Sequence, residues 1–598
     1  MATKISPQDL QLAAKAGFDR IKTYRKARAM FIKAYVGKYY AQKYGLTGDQ
    51  PLNLLFNAIR VMVPNLVMYN PKIDVGCKPL VHRDYAELLG LGIDEVFEQT
   101  GFVWRLRAEI VDALFGFGIM KSAIKDSGQF MVVDDMQIDP GQVYNQRVDL
   151  DNFTFDPTCT NFLFHDATFT GDAVVVPRAV LLDTNGYNHD LVNKMPSVYS
   201  ETGDKGQASD ISKPTSFGDE FASKRDLVRI VHLWVPTAGA LITIPDPRDH
   251  IAESYLKKTE YYGPIEGPYS YLSFTPPVPD NPFPVAPVSI WYDLHEAANR
   301  VAAKLLDQVD RQKDVTLYDP AQADEAEAIR DAEDGDYIAS TNPAGVNVIS
   351  YGGQNSKNEA ILAQIQTWFS YMAGNIEQLG GAKAGADTAT GQEILQANAT
   401  VTIEDSKGIT KEHVRQIARK TGWYLFTDPL IDVPLTKRKN GESIDVHLTW
   451  EQRQGDFLNY TFKVHPHTLV RLDPTIRSRR IIEFTVNVIP ALANATQICA
   501  GLGIPFNFQK TVSMVGKEMG MEEEMADMFN DPDLMKKLEL TLMKGPQPQE
   551  KPGYTSNAGT QQNNGFTGAR PVPTAKQEIN ETRQLPAAES QAARIGAM

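Results

Sequence analysis

Residues 288–313 read VSIWYDLHEAANRVAAKLLDQVDRQK, and this stretch guides the interpretation of the whole chain. Its large apolar residues recur at the three- and four-residue spacing of an amphipathic helix. They are Trp291, Leu294, Ala298, Val301, Leu305 and Val309. A helix with one apolar face must bury that face against another element. The preceding residues 263–287 contain eight prolines, which exclude regular helix or a central strand and predict an extended connector.

Two more long helical patterns follow this one. The first spans residues 358–380, and its apolar face carries Ile361, Ile365, Trp368, Phe369 and Met372. The second begins near residue 392 and ends near residue 426. Trp291, Trp368 and Trp423 sit at helical spacings, so we expect them in the core rather than as platforms for stacking bases.

Two short segments separate the helical patterns. Residues 314–357 form a compact module in which Arg330 stands among acidic residues: Asp324, Glu325, Glu327, Asp331, Glu333, Asp334 and Asp336. Residues 380–391 read GGAKAGADTATG, and their glycines predict a flexible loop.

The first forty-five residues predict a basic helix. Ser6, Pro7 and Asp9 supply an N-cap, a first-turn proline and a first-turn acid. Ten basic residues stand against Asp9 and Asp19: Lys4, Lys15, Arg20, Lys22, Arg25, Lys26, Arg28, Lys33, Lys38 and Lys43. We interpret them mainly as a solvated helix face, with contact to nucleic acid or an acidic partner as the alternative.

Strand patterns appear between the helical regions. Period-two alternation predicts strands at residues 130–133, 142–148 and 227–234, and again near residues 446–450 and 458–464. The predicted fold class is therefore α+β, mainly α. Clustered carboxylates at Asp149, Asp151 and Asp156 are interpreted as a solvated strand edge that leads into an Asp-Pro turn.

Composition limits the possible functions. The 598 residues include 60 Lys and Arg against 74 Asp and Glu, which gives a net charge of −14. This acidic balance argues against a protein that simply coats DNA.

Cysteine spacing and apolar stretches give further limits. Cys77, Cys159 and Cys499 form no CxxC pair, so neither disulfides nor a zinc ribbon are indicated. We find no signal core and no apolar stretch of membrane-spanning length, and therefore expect a soluble, non-secreted protein without membrane contact.

Motifs for catalysis are weak. The phosphate loop GxxxxGK(S/T) and the nucleophile elbow GxSxG are absent, and no cofactor is predicted. His295 and Glu296 lie in a near-match to the zinc-protease motif HExxH, with Asn299 in place of the second histidine. His465 and His467 would place two imidazoles on one face of a strand. A metal-dependent hydrolase is accordingly a minor alternative, and chance polar residues are the favoured interpretation.

Three stretches carry a family resemblance. They are residues 57–75 (NAIRVMVPNLVMYNPKIDV), residues 113–121 (ALFGFGIMK) with FHDATF at 164–169, and residues 388–395 (TATGQEIL) at the start of a long helix. In this order, the sequence resembles the portal proteins of tailed bacteriophages, the ring-shaped head-to-tail connectors. The resemblance spans roughly residues 7 to 500.

The resemblance implies a portal-type subunit that assembles into a closed ring, usually of twelve copies. Its parts would be a wing, long stem helices, a clip and a helical crown. The implied boundaries are wing 1–287, stem helix 288–313, clip 314–357, stem helix 358–380, tunnel loop 381–391, a long helix and wing strands 392–499, crown 500–543 and a disordered tail 544–598.

The resemblance also implies partners and a location. Double-stranded DNA would pass through the channel, with Lys383, Asp387 and Thr388 in the tunnel loop facing it. Terminase, major capsid protein, scaffolding protein and head–tail adaptors would dock on the ring. Such a protein is not an enzyme; it is assembled in the host cytoplasm and resides in the virion. Another phage ring or tail protein is the structural alternative.

Overall fold

The computed structural model describes residues 6–37, 51–126, 131–133, 136–198, 226–333, 335–340, 346–351, 356–374, 389–430, 432–439 and 442–465, with a few separate residues between 482 and 515. All of them belong to one compact unit, Met1–Met535. The predicted crown at 500–543 falls almost entirely outside these residues, and the predicted disordered tail at 544–598 falls entirely outside them.

The α+β class predicted from the sequence is confirmed, with helices containing more residues than strands. The helices of the described residues are α1 Pro7–Val36, α2 Leu54–Leu66, α3 Arg83–Gln99, α4 Phe102–Phe115, α5 Arg178–Asp183, α6 His189–Lys194, α7 Pro287–Asp310, α8 Ala323–Asp331, α9 Ser356–Met372 and α10 Ala389–Thr427. In the described ranges, no helix is long and apolar enough to cross a bilayer.

The predicted start of the first helix is confirmed. The amide of Asp9 donates to the Ser6 hydroxyl oxygen at 3.1 Å, and the amide of Ser6 donates back to the Asp9 carboxylate at 3.4 Å. Pro7 occupies the first turn, where its missing amide hydrogen costs nothing. Reciprocal capping of this kind satisfies two amides that the helix itself leaves without a partner.

The strands form small antiparallel sheets. They are β1 Ile73–Cys77, β2 Gly118–Lys125, β3 Met131–Val133, β4 Met136–Ile138, β5 Gln142–Arg147, β6 Phe153–Phe155, β7 Thr170–Pro177, β8 Leu227–Val235, β9 Ala240–Pro245, β10 Lys257–Glu260, β11 Tyr269–Leu272, β12 Lys313–Tyr318, β13 Val346–Tyr351, β14 Val433–Lys439, β15 Glu442–Leu448 and β16 Tyr460–Val464. The largest has the order β10-β9-β8-β7-β6, and a second has the order β11-β2-β5.

The long helix α10 organises the main core. It packs against α2, α3, β2, β11 and β16, elements that lie far from it in the sequence. Gly422 permits this close packing, because a Cβ there would lie 2.8 Å from the Phe462 ring. Strand β1 pairs with β16, with Ile73 opposite Val464, so two segments far apart in the sequence meet beside this helix.

Buried charges tie the first helix to this core. Asp112 on α4 accepts from Arg28 of α1 at 2.7 Å and from the Arg147 Nη2 of β5 at 2.9 Å. Arg28 also donates to Asp149 at 3.0 Å. Because Arg28 and Asp112 are almost inaccessible to water, this cluster fixes how α1, α4 and β5 sit together.

The interpretation of Asp149, Asp151 and Asp156 as a solvated strand edge is wrong for Asp156. Asp156 is buried, and its two oxygens accept from the hydroxyls of Thr158 at 2.7 Å and Thr168 at 2.6 Å. The carboxylate therefore closes a turn from inside the protein. These bonds overcome the desolvation that burial imposes, and the pKa of Asp156 lies below its usual value.

We predict that Asp112→Asn destabilises the protein strongly. The change removes the carboxylate that buried Arg28 shares with half-buried Arg147 and leaves both with Asp149 alone. Loss of one partner of a buried ion pair typically costs about 3 kcal/mol. Chemical denaturation followed by circular dichroism measures the loss. Asp331→Asn, which removes an exposed partner of Arg330, is the control and leaves the transition unchanged. Equal transitions for both variants and the unmodified protein would show that the buried cluster contributes little.

Candidate assembly surface on the helical arm

Helices α7 and α9 form an antiparallel pair. The indole nitrogen of Trp291 donates to the Met372 carbonyl oxygen at 3.2 Å near one end. Near the other end, the Asn358 side-chain amide donates to the Gln308 side-chain oxygen at 3.3 Å. The two helices, with β12, α8 and β13 between them, are called the arm (residues 287–372).

Among the described residues, the arm joins the main core at one end. Val288, Trp291, Phe369 and Ala373 belong to that core, and the rings of Trp291 and Phe369 meet at a centroid distance of 6.5 Å and an angle of 62°. Helix α7 packs there against α1, α2 and α4. The core covers the beginning of the apolar face predicted for residues 288–313, and one side of α7 stays buried as far as Leu305.

A row of apolar side chains on α9 is only partly covered. Ile361, Ile365, Trp368 and Met372 follow a 4-3-4 spacing, which places them in one line along the helix. Ile365 is buried, whereas Ile361, Trp368 and Met372 are 50%, 53% and 54% exposed. This spacing is typical of helices that pack side by side, within one chain or between chains.

The far end of the arm also exposes apolar groups. Leu306 and Val309 continue the apolar side of α7, and Leu317 and Tyr318 lie on β12; about half of each is exposed. Strands β12 and β13 pair only with each other among the described residues. A two-stranded sheet by itself has marginal stability in water, and helix α8 packs against β12 here.

The acidic residues predicted for the clip cluster around α8. Asp324, Glu327, Asp331, Glu333 and Asp336 are exposed, whereas Glu325 is half-buried. Their arrangement concentrates negative charge beside the β12–β13 pair. Asp334 lies outside the described residues.

Two contacts shape this acidic module. Arg330 donates to Asp331 at 2.8 Å and to Glu327 at 3.2 Å, and its bond to Asp331 holds the pKa of that carboxyl below its usual range. Glu325 accepts from the Ser340 hydroxyl at 2.6 Å, which ties α8 to the chain that follows it. The remaining exposed carboxylates present their charge to the surroundings.

The proposed tunnel-loop residues Lys383, Asp387 and Thr388 lie outside the described residues. Helix α10 begins directly after them, at Ala389, three residues before the predicted start at residue 392. The structure therefore bears on the helix that follows the loop and not on the loop itself.

The prediction that Trp368 lies in the core is wrong for the single chain. Trp291 is buried as predicted and Trp423 is half-buried, whereas half of Trp368 is exposed. All three satisfy the same helical periodicity, which identifies an apolar face without telling what covers it. The 4-3-4 spacing around Trp368 therefore carried no signal that this side chain would be half exposed.

The residues considered for the alternative of a metal-dependent hydrolase do not come together in one site. His295 is buried in α7, whereas Glu296 is exposed and accepts from the Tyr292 hydroxyl at 2.6 Å. His465 follows β16 rather than lying in it, and its amide donates to the Lys72 carbonyl oxygen at 2.8 Å. His467 is outside the described residues. Within the described part of the chain, no three His, Cys, Asp or Glu side chains form a group that could hold a metal ion.

Comparison with known proteins adds no relative: the sequence matches no protein-family model and no curated protein.

The surface of the arm has three distinguishing features. It combines a partly covered apolar row on a helix, an exposed two-stranded sheet and a strongly acidic module.

We predict that acid destabilises the base of the arm through His295. Burial lowers the pKa of His295 to about 4, and nearby Glu296 offsets only part of that effect. The unfolded chain binds a proton at its ordinary pKa of about 6.5, so stability falls between about pH 6.5 and pH 4, by about 3 kcal/mol at most. Above pH 6.5 the histidine is neutral in both states and has no such effect.

Denaturation at several pH values tests this prediction with His295→Gln. Because His232 has a similarly lowered pKa of about 4, the informative quantity is the difference between the variant and the unmodified protein. The variant should lose less stability than the unmodified protein as the pH falls from 6.5 to 4. Parallel curves over that range would contradict the assignment.

Proposed function

We propose that this chain is the subunit of a portal ring, the head-to-tail connector of a tailed bacteriophage. Its copies surround a channel at one capsid vertex, through which genomic DNA is packaged and later ejected. The proposal joins the sequence resemblance to the observation that carries it, the partly covered apolar row on α9.

The apolar row supports association of identical chains. Ile361, Trp368 and Met372 lie in one line and are each about half exposed, as are Leu306 and Val309 near the end of α7. Contiguous apolar surface on an arm anchored at one end is typical of a protein–protein interface. An interface that joins different surfaces of successive copies closes into a ring when the rotation between copies allows it.

The charge of the arm fits a conduit for DNA. A channel must let DNA slide, and each Lys or Arg contact to a phosphate has to be broken as DNA moves. The exposed carboxylates around α8 would repel phosphates, and the Gly- and Ala-rich loop at 381–391 would carry Lys383 as its one cation. On this proposal DNA passes the acidic module without adhering to it.

The remaining family parts follow as proposals. Helices α7 and α9 would be the stem, and residues 314–357 the clip that meets terminase and then the head–tail adaptors. Residues 1–287 and the strands after α10 would form the wing, and residues 500–543 the crown. Scaffolding protein and major capsid protein would join the ring during assembly in the host cytoplasm, and the virion would retain it.

Negative-stain electron microscopy of the purified full-length chain tests the proposal. We expect closed rings with a central hole, and rotational symmetry averaging should give about twelve copies. Circular dichroism on the same sample confirms that the chain is folded. A folded protein that shows no rings over a wide range of concentration and salt would contradict the portal assignment.

Trp368→Glu tests the interface directly. A charge placed in the apolar row should block assembly while leaving the isolated chain folded, because half of this side chain is already exposed. Val180→Glu, at a similarly exposed position on α5, is the matched control and should assemble normally. Sedimentation velocity reports the distribution of species. Assembly of Trp368→Glu at the level of the control would place the interface elsewhere.

A further inference from the structure

The first helix carries a straight row of lysines. Lys15, Lys22, Lys26 and Lys33 are separated by seven, four and seven residues, and at about 100° per residue they fall within about 40° around α1. They extend over eighteen residues, or about 27 Å of helix. All four are exposed, and none forms an ion pair with another described residue.

The arginines of the same helix serve a different purpose. Arg28 is buried against Asp112, Arg25 donates to the Asp151 carbonyl oxygen at 2.8 Å, and Arg20 donates to the Cys159 carbonyl oxygen at 2.7 Å. The basic segment seen in the sequence is thus divided into structural arginines and solvent-facing lysines. The lysines remain available for an external partner.

The opposite face of α1 is fully engaged. Leu10, Phe18, Ile21 and Phe31 are buried in the apolar clusters of the protein. A helix that lies on a membrane must insert an apolar face into the lipid, and the main apolar face of α1 is occupied. Leu12 and Met30, which are 51% and 45% exposed beside the lysine row, are the exposed large apolar residues of the described helix. The solvent-facing side of α1 is therefore mainly basic.

We propose that this lysine row binds the backbone of double-stranded DNA, independently of sequence. Phosphates repeat along DNA at intervals that a row of flexible lysines can follow, and a 27 Å row spans about eight base pairs. No aromatic side chain is exposed on α1, whereas binding hot spots for proteins are rich in aromatic residues and arginine.

This surface differs from the proposed channel. The channel assignment rests on the acidic module of the arm, which DNA passes without adhering, whereas the lysine row holds DNA against the helix. The portal proposal and the DNA-binding proposal can be tested independently, because DNA binding by α1 requires only the chain and DNA. A protein that forms no rings can still bind DNA through α1, and a protein that forms rings can lack this binding.

Fluorescence anisotropy with a short labelled duplex at several salt concentrations tests the proposal. The variant replaces all four lysines of the row by glutamine, and the matched control replaces four exposed lysines elsewhere: Lys78, Lys194, Lys258 and Lys463. Each phosphate contact contributes about 0.9 to the slope of log K against log salt. We expect the row variant to lose about 2 to 4 units of slope, and the control variant to keep the slope of the unmodified protein.

A second variant sharpens the test. Asp19 is an exposed acidic residue on the same side of α1, between Lys15 and Lys22. Asp19→Asn should tighten DNA binding by a few-fold, because it removes a charge that repels phosphate. Equal slopes for the row and control variants would overturn the proposal. So would lysine-dependent binding to vesicles of phosphatidylcholine and phosphatidylserine in the absence of DNA binding.

Discussion

Packing between Trp291 and Phe369 is the contact on which the arm depends. Both rings belong to the main core, and the Trp291 indole also ties α7 to the carbonyl of Met372. One side of α7 stays buried as far as Leu305, whereas Trp368 beside this layer and Ile361 farther along α9 are each about half exposed. The arm thus combines an anchored base with apolar side chains that the described residues leave partly uncovered.

Buried charges keep that base in position. Asp112 joins α1, α4 and β5, and a second buried pair, Glu109 with His413 at 2.9 Å, joins α4 to the long helix α10. Burial raises the pKa of Glu109, and His413 counteracts this only partly. Such pairs add less to stability than apolar packing of the same volume, yet removing one partner is costly. They therefore hold specific elements together, including those against which the arm is anchored.

Local sequence patterns predicted the positions of helices and strands well, but they did not predict which residues pack around them. An unbroken apolar period placed α7 within one residue of its observed start, although Pro287 was assigned to the preceding connector, and alternation predicted β8. The partners of Asp112 lie 84 and 35 residues away, so no local pattern links them, and the β12–β13 pair was not anticipated. For Trp368, periodicity indicated an apolar face, whereas the cover for that face is not supplied by the part of the chain that the structure describes.

The central claim is that other copies of the chain cover the apolar row of the arm. Hydroxyl-radical footprinting, read by mass spectrometry, measures the reactivity of Trp368 and Met372 in the assembled and the dissociated protein. The account predicts strong protection of both side chains on assembly, with Trp104, which is 71% exposed on α4, as a reference for general exposure. Unchanged reactivity of Trp368 and Met372 in an assembled particle would contradict it.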